Sequence, residues 1–151
     1  MNINYLNLMK NTPEIFGSKN RGISEQEISQ FQEKYSIAFP KSYQEFLFLA
    51  GGYCNINVSS LDYDYESQNN VKNTLEKNNL KIEGGEFWVI SELDGGEQFH
   101  FFYFNDPDAE DPENPPVYVS HPAYLDEGGD LKRKIANSFS EFIDNIINKL
   151  T

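Results

Sequence analysis

The sequence predicts an α+β fold: an antiparallel or mixed central sheet, flanked by N-terminal helices and one C-terminal helix, in a single domain spanning residues 1–151. Three observations predict it. A run with helical periodicity fills residues 22–52. Aromatic and β-branched strand-like runs with turn signals between them fill residues 86–119. An amphipathic stripe follows Ser138. Helices, then strands, then a helix are the order of an antiparallel sheet covered by helices. A chain of 151 residues suits one core, and no internal repeat or linker divides it.

The elements follow in order. Tyr5, Leu6, Leu8 and Met9 suit a short helix that ends near Thr12-Pro13, and Phe16–Asn20 reads as a loop. Ser24 is a helix N-cap, and Glu27, three residues on, completes a capping box with Ile23 and Ile28 as its hydrophobic staple. Ile28, Phe31 and Tyr35 make the apolar stripe. Pro40 ends that helix region. A second helix follows, capped by a Ser42–Glu45 box or begun by Pro40 at its first position. Its stripe is Tyr43, Phe46, Leu47 and Ala50, and Gly51-Gly52 offers a left-handed exit.

Residues 53–58 read as a short strand, with Ile56 and Val58 on one face. Asp62-Tyr63-Asp64-Tyr65-Glu66 alternates acids with tyrosines, so on a strand the three carboxylates share a face. Residues 67–79 read as an Asn-rich loop with a short helix at Val71 and Leu75. Glu86–Ile90 is strand-like. Asp94-Gly95-Gly96 is a tight turn, and Gln98–Phe104, bulky on both faces, is a central strand. Asn105–Pro116, acidic and proline-rich, is an exposed loop. Val117–Val119 is a strand, and residues 121–129 form a turn region. Ser138 and Glu141 have capping-box spacing ahead of a stripe of Phe142, Ile143, Ile146, Ile147 and Leu150.

Composition narrows the function classes. Asp and Glu number 24 against 12 Lys and Arg, a formal net charge of -12. Such a surface repels nucleic acid and anionic lipid and attracts basic partners, besides keeping the protein in solution. A mean hydropathy of -0.61 and the lack of any apolar run near the ~20 residues of a bilayer span argue against a membrane protein. The first residues lack a basic n-region and an apolar h-region, and Cys54 has no partner for a disulfide. Both fit a cytoplasmic chain.

The ordered combination of a capped helix, Phe39-Pro40-x-x-Tyr43-x-x-Phe46-Leu47 and Gly51-Gly52 resembles the opening of the SUKH superfamily, the Smi/Knr-type domain. Trp88, Asp94-Gly95-Gly96, Val117-Tyr118-Val119 and Ser138-Phe139-Ser140-Glu141-Phe142 fall where that pattern expects them. The resemblance implies N-terminal helices, a sheet with a Trp-bearing strand and hairpin, and a closing helix. It further implies an immunity protein of a bacterial polymorphic toxin system, which binds a cognate toxin domain and blocks it without catalysis. A scaffold role like that of fungal relatives is the alternative. Those carry long disordered extensions, which this chain lacks.

Motifs for other chemistry are missing. The sequence has no phosphate loop, dinucleotide fingerprint, His-Glu-x-x-His or Gly-x-Ser-x-Gly. A Cys54–His100 or Cys54–His121 nucleophile pair has no local support, and Cys54 reads as a small buried or half-buried residue. His100 reads as a satisfied sheet residue. Asp62, Asp64 and Glu66 have the first oxygen positions of a calcium loop, as do Asp106, Asp108 and Glu110. The glycine and closing Glu of that loop are replaced by Ser67 and Asn73 in one and by Asp111 and Val117 in the other, so neither is an EF-hand. No metal or cofactor is expected. An acid/base enzyme using Asp62 and Asp64, or a metal binder, is a further alternative.

The expectation is therefore a non-enzymatic protein, monomeric when free, that docks a basic, nuclease-type toxin. Nuclease active faces are basic because they bind phosphates, and an acidic protein is steered onto such a face. The expected contacts are Asp62, Asp64, Glu66, Asp94, Glu97, Asp106, Asp108, Glu110 and Asp111, with Tyr63 and Tyr65 as amphipathic anchors.

Overall fold

The computed structural model describes residues 1–59 and 61–150, and the side chains of all of these except 62–64 and 150. Helix α1 (Asn7–Lys10) leads into a small hairpin of β1 (Glu14–Ile15) and β2 (Ser18–Lys19), where the sequence read a loop. Phe16 and Gly17 turn it with φ of 50° and 74°, the left-handed pair that matches strand twist in a two-residue turn. In α2 (Glu25–Tyr35) the capping box forms. The Glu27 N–H donates to Ser24 Oγ at 3.1 Å, and the Ser24 N–H donates to the Glu27 carboxylate at 3.3 Å.

Helix α3 (Lys41–Ala50) departs from its expected ends. No Ser42–Glu45 box forms, because Glu45 turns into the protein and is wholly buried. Glu113, from the loop of residues 104–116, takes over the cap. Its carboxylate accepts the Lys41 N–H at 2.7 Å and its carbonyl the Ser42 N–H at 2.9 Å. The exit is not left-handed either: Gly51 has φ -66°. Glycine is needed there for space. A Cβ on Gly51 would stand 2.7 Å from the Leu47 carbonyl oxygen, and one on Gly22 would stand 1.6 Å from that of Phe48. The strand expected at 53–58 reduces to one bridge between Arg21 and Tyr53.

The largest correction is α4 (Leu61–Lys77). The alternating acids and tyrosines lie on this helix, not on a strand, and it continues through the stretch read as a loop. Positions two apart on a helix lie about 200° around its axis, so alternation no longer places three carboxylates on one face. Tertiary burial overrides the weak local signal. Leu61 is buried, and from Ser67 on the buried Ser67 and Val71 and the half-buried Gln68, Thr74 and Leu75 recur at three- and four-residue steps.

Strands β3 (Phe87–Leu93), β4 (Gln98–Tyr103), β5 (Val117–Ser120) and β6 (Lys132–Ala136) form an antiparallel sheet in the order β3-β4-β5-β6. The turn Asp94–Gly96 joins β3 to β4 with φ of 53°, 68° and 93°. Strand β6 was not legible. Lys132, Arg133 and Lys134 carry no apolar alternation, yet main-chain pairing with β5 holds the strand, Lys132 lies over the Tyr103 and Tyr118 rings, and a charged edge resists pairing with other chains. The expected turn region contains α5 (Ala123–Asp126). Helix α6 (Phe139–Leu150) is capped by Ser138, whose Oγ accepts the Glu141 N–H at 3.1 Å, while the Glu141 carboxylate takes the Asn137 N–H.

Both sheet faces are covered, as the bulk of β4 requires. Trp88, Ile90, Phe102 and Val117 pack beneath α1, α2, α3 and α6 on one face. Val89, Phe99, Phe101, Tyr103 and Tyr118 meet Val71, Ile82 and Leu131 on the other. The Trp88 indole N–H donates to the Tyr43 hydroxyl at 3.2 Å, so this tryptophan belongs to the core.

Candidate partner-binding surface

The expected contact residues do not form one cluster. Asp94 and Glu97 sit in the β3–β4 turn, exposed, at one end of β4, and the loop carrying Asp106 to Asp111 leaves the other end. Six strand residues at about 3.4 Å each separate them by ~20 Å.

Within the loop the acids divide into two kinds. Asp106 accepts the Tyr118 hydroxyl at 2.8 Å and the Asp108 N–H at 2.9 Å. Asp111 accepts the Tyr5 hydroxyl at 2.7 Å and the Glu113 N–H at 2.9 Å. The bond to Asp111, then burial, pushes the Tyr5 hydroxyl up to about 12. Burial first, then the bond to Asp106, raises Tyr118. Both hydroxyls therefore stay donors, and both aspartates hold the loop shut. Asn114 adds a further brace: its side chain takes the Ser140 N–H at 3.0 Å and donates to Ser140 Oγ at 2.8 Å. Asp108 and Glu110 point to solvent instead.

On α4, the side chains of Asp62, Tyr63 and Asp64 lie outside the described residues, and Glu66 is exposed. Tyr65 is 37% exposed and stacked on Tyr35 at 4.1 Å between ring centroids. Tyr35 meets Phe31 at 4.7 Å, and Phe31 meets Trp88 at 6.1 Å. Tyr65 is thus the outer end of a ring column rooted in the core, a rigid aromatic of the kind that anchors interfaces.

Sequence reasoning missed the groove beside Tyr65. It measures about 730 Å3 and runs between α4 and the chain entering β3. Ile37, Leu75, Leu80, Phe87 and Phe104 line it, half-buried, with Glu76, Glu83 and Glu86 exposed along its rim beside Lys72 and Lys81. Gly84-Gly85 was the available signal. Both have positive φ, 113° and 103°, and a Cβ on Gly84 would stand 2.9 Å from the Tyr103 ring.

The charge on this surface is not neutralised from within. Among the described residues two ion pairs form, the Met1 amino group with Glu25 and Arg133 with Glu127. Among the same residues no group of three or more His, Cys, Asp or Glu side chains is placed to hold a metal ion. His100 bonds to Ser91 Oγ through Nδ1 at 2.5 Å, and burial lowers its pKa. Cys54 is half-buried, with its thiol 3.7 Å from the Val58 carbonyl oxygen. No described helix is long and apolar enough to cross a membrane.

These features define an α+β scaffold with a net acidic composition and an open apolar groove beside Tyr65. The chain belongs to the SMI1 / KNR4 family (SUKH-1), whose model matches residues 22–145. The resemblance drawn from the Phe39–Gly52 pattern is thereby borne out, and with it the fold. No curated protein matches the chain.

Proposed function

We propose that this chain is an immunity protein: it binds a cognate bacterial toxin domain with a basic, nuclease-type face and neutralises it by covering that face. The observation that carries the reading is the net charge of -12 on a family scaffold, left almost without internal ion pairs among the described residues. Such a field raises the encounter rate with a cationic partner and sets orientation before contact. Glu66, with Asp62 and Asp64, and the exposed Asp108 and Glu110 supply charge. Tyr65, and Tyr63 with it, supplies aromatic area. Asp106 and Asp111 contribute by holding their loop in shape, and Asp94 and Glu97 act at longer range.

The test is co-purification with the toxin encoded by the adjacent gene, followed by affinity measurement across salt concentrations. Affinity is expected to fall steeply between about 50 and 500 mM NaCl, as screening shortens the field. Reversal of Asp62, Asp64 and Glu66 to Lys is expected to weaken binding further at low salt and to restore toxin activity. Binding indifferent to salt and to these reversals overturns the electrostatic mechanism. An adjacent gene that encodes no toxin counts against the immunity role itself.

A further inference from the structure

We propose that the groove between α4 and the free edge of β3 receives an extended basic segment of the partner toxin, which pairs with the main chain of Phe87; this rests on the reading of the chain as an immunity protein.

Strand β3 is an edge of the sheet. Its outer side is already half occupied by a side chain. The Gln68 amide donates to the Val89 carbonyl at 2.8 Å and accepts the Val89 N–H at 2.8 Å. It stands where the peptide group of a neighbouring strand would stand. Main-chain groups of an edge strand face outward at every second residue. The Phe104 N–H bonds the Glu86 carbonyl, and Trp88 pairs inward with Phe102, so Phe87 faces outward as Val89 does. By that alternation no ladder bond reaches the Phe87 N–H or C=O, and among the described residues no loop backbone bonds them. One rung is therefore taken by Gln68, and the next is open at the floor of the groove.

The surroundings of that rung specify the occupant. Gly84 and Gly85 turn the preceding chain with φ of 113° and 103°, and a Cβ on Gly85 would meet nothing within 4 Å. Backbone can approach there closely. Half-buried Ile37, Leu75, Leu80 and Phe104 offer seats for alternate side chains of an extended segment. Glu76, Glu83 and Glu86 on the rim have no ion-pair partner among the described residues, and they outnumber Lys72 and Lys81. The preferred segment is basic with apolar side chains between its cations. Tyr65 also lines the groove and joins this site to the acidic start of α4.

Two measurements on the toxin complex test this. In hydrogen exchange, the Phe87 amide is expected to slow by about tenfold or more on binding. The Val89 amide, bonded to Gln68 before and after, is expected to change little. In affinity measurements, the exposed pair Glu83→Lys and Glu86→Lys is expected to weaken binding by about tenfold. Glu14→Lys with Asp126→Lys, the same charge change on exposed positions elsewhere, is expected to weaken it by no more than about threefold. Unchanged Phe87 exchange in a complex that still forms overturns the groove and leaves the immunity reading standing. So does equal weakening by the two charge pairs. Self-association that the Glu83→Lys and Glu86→Lys pair abolishes assigns the groove to a second copy of the chain and overturns the proposal. Absence of any toxin binding overturns the immunity reading and the groove with it.

Discussion

At the scale of the residue, Glu45 is the most consequential side chain that the sequence placed wrongly. It is wholly buried, and its carboxylate accepts the N–H groups of Asn4, Tyr5 and Leu6 at 2.6, 2.9 and 3.1 Å. A buried charge is tolerated when several donors converge on it, and these three leave the N-terminal segment little freedom. The carboxylate thereby fastens the chain ahead of α1 to the middle of α3, some forty residues away in sequence. Removing it strands three amide donors in a dry site. Glu45→Ala is expected to cost about 3 kcal/mol or more in urea unfolding. Glu45→Gln is expected to cost less, because one amide oxygen still accepts. Exchange at Asn4, Tyr5 and Leu6 is expected to quicken in Glu45→Ala before global unfolding does. Equal exchange in both variants would show that the segment is held by its apolar side chains instead.

At the scale of the element, what was legible depended on how local the cause was. The caps of α2 and α6 lie within three residues of their helices, and both were read from Ser24, Glu27 and Ser138. Trp88, the Asp94–Gly96 turn and the two-sided bulk of β4 carry their own signals, so strands β3 to β5 were legible too. The failures share a different origin. The cap of α3 comes from Glu113, 72 residues away. Helix α4 follows the sheet face it covers rather than the strand propensity of its tyrosines, and β6 exists because β5 offers it an edge. Of the candidate surface, the exposure of Tyr65, Glu66, Asp108 and Glu110 was legible. That Asp106 and Asp111 also brace their loop was not legible, because the hydroxyls they accept come from the distant Tyr118 and Tyr5. The groove was invisible, since it is assembled from α4, the chain entering β3 and Ile37. The two rival caps of α3 separate cleanly by mutation. Glu113→Ala removes the acceptor of the Lys41 N–H and is expected to destabilise by about 1 kcal/mol. Ser42→Ala removes a buried hydroxyl without a partner among the described residues and is expected to be neutral or slightly stabilising. A local Ser42 cap would reverse that order in thermal melts.

At the scale of the whole molecule, net charge bears on stability and on the proposed recognition with opposite signs. The net charge of -12 repels itself within the compact fold, and two ion pairs among the described residues offset little of that repulsion. Unfolding spreads the charges apart, so salt screens the folded state more than the unfolded one. Raising NaCl from about 50 to 500 mM is expected to stabilise the free protein by on the order of 1 kcal/mol, a rise of about 3 °C in Tm for a chain of this size. The same change is expected to weaken the proposed complex with a basic toxin, where the screened interaction would be attractive. Melts of the free chain and titrations of the complex in matched buffers read the two signs side by side. A free-protein Tm that falls with salt would mean that attractive surface pairs outweigh the repulsion. The acidity would then serve the fold itself, and steering of a basic partner would lose its physical basis.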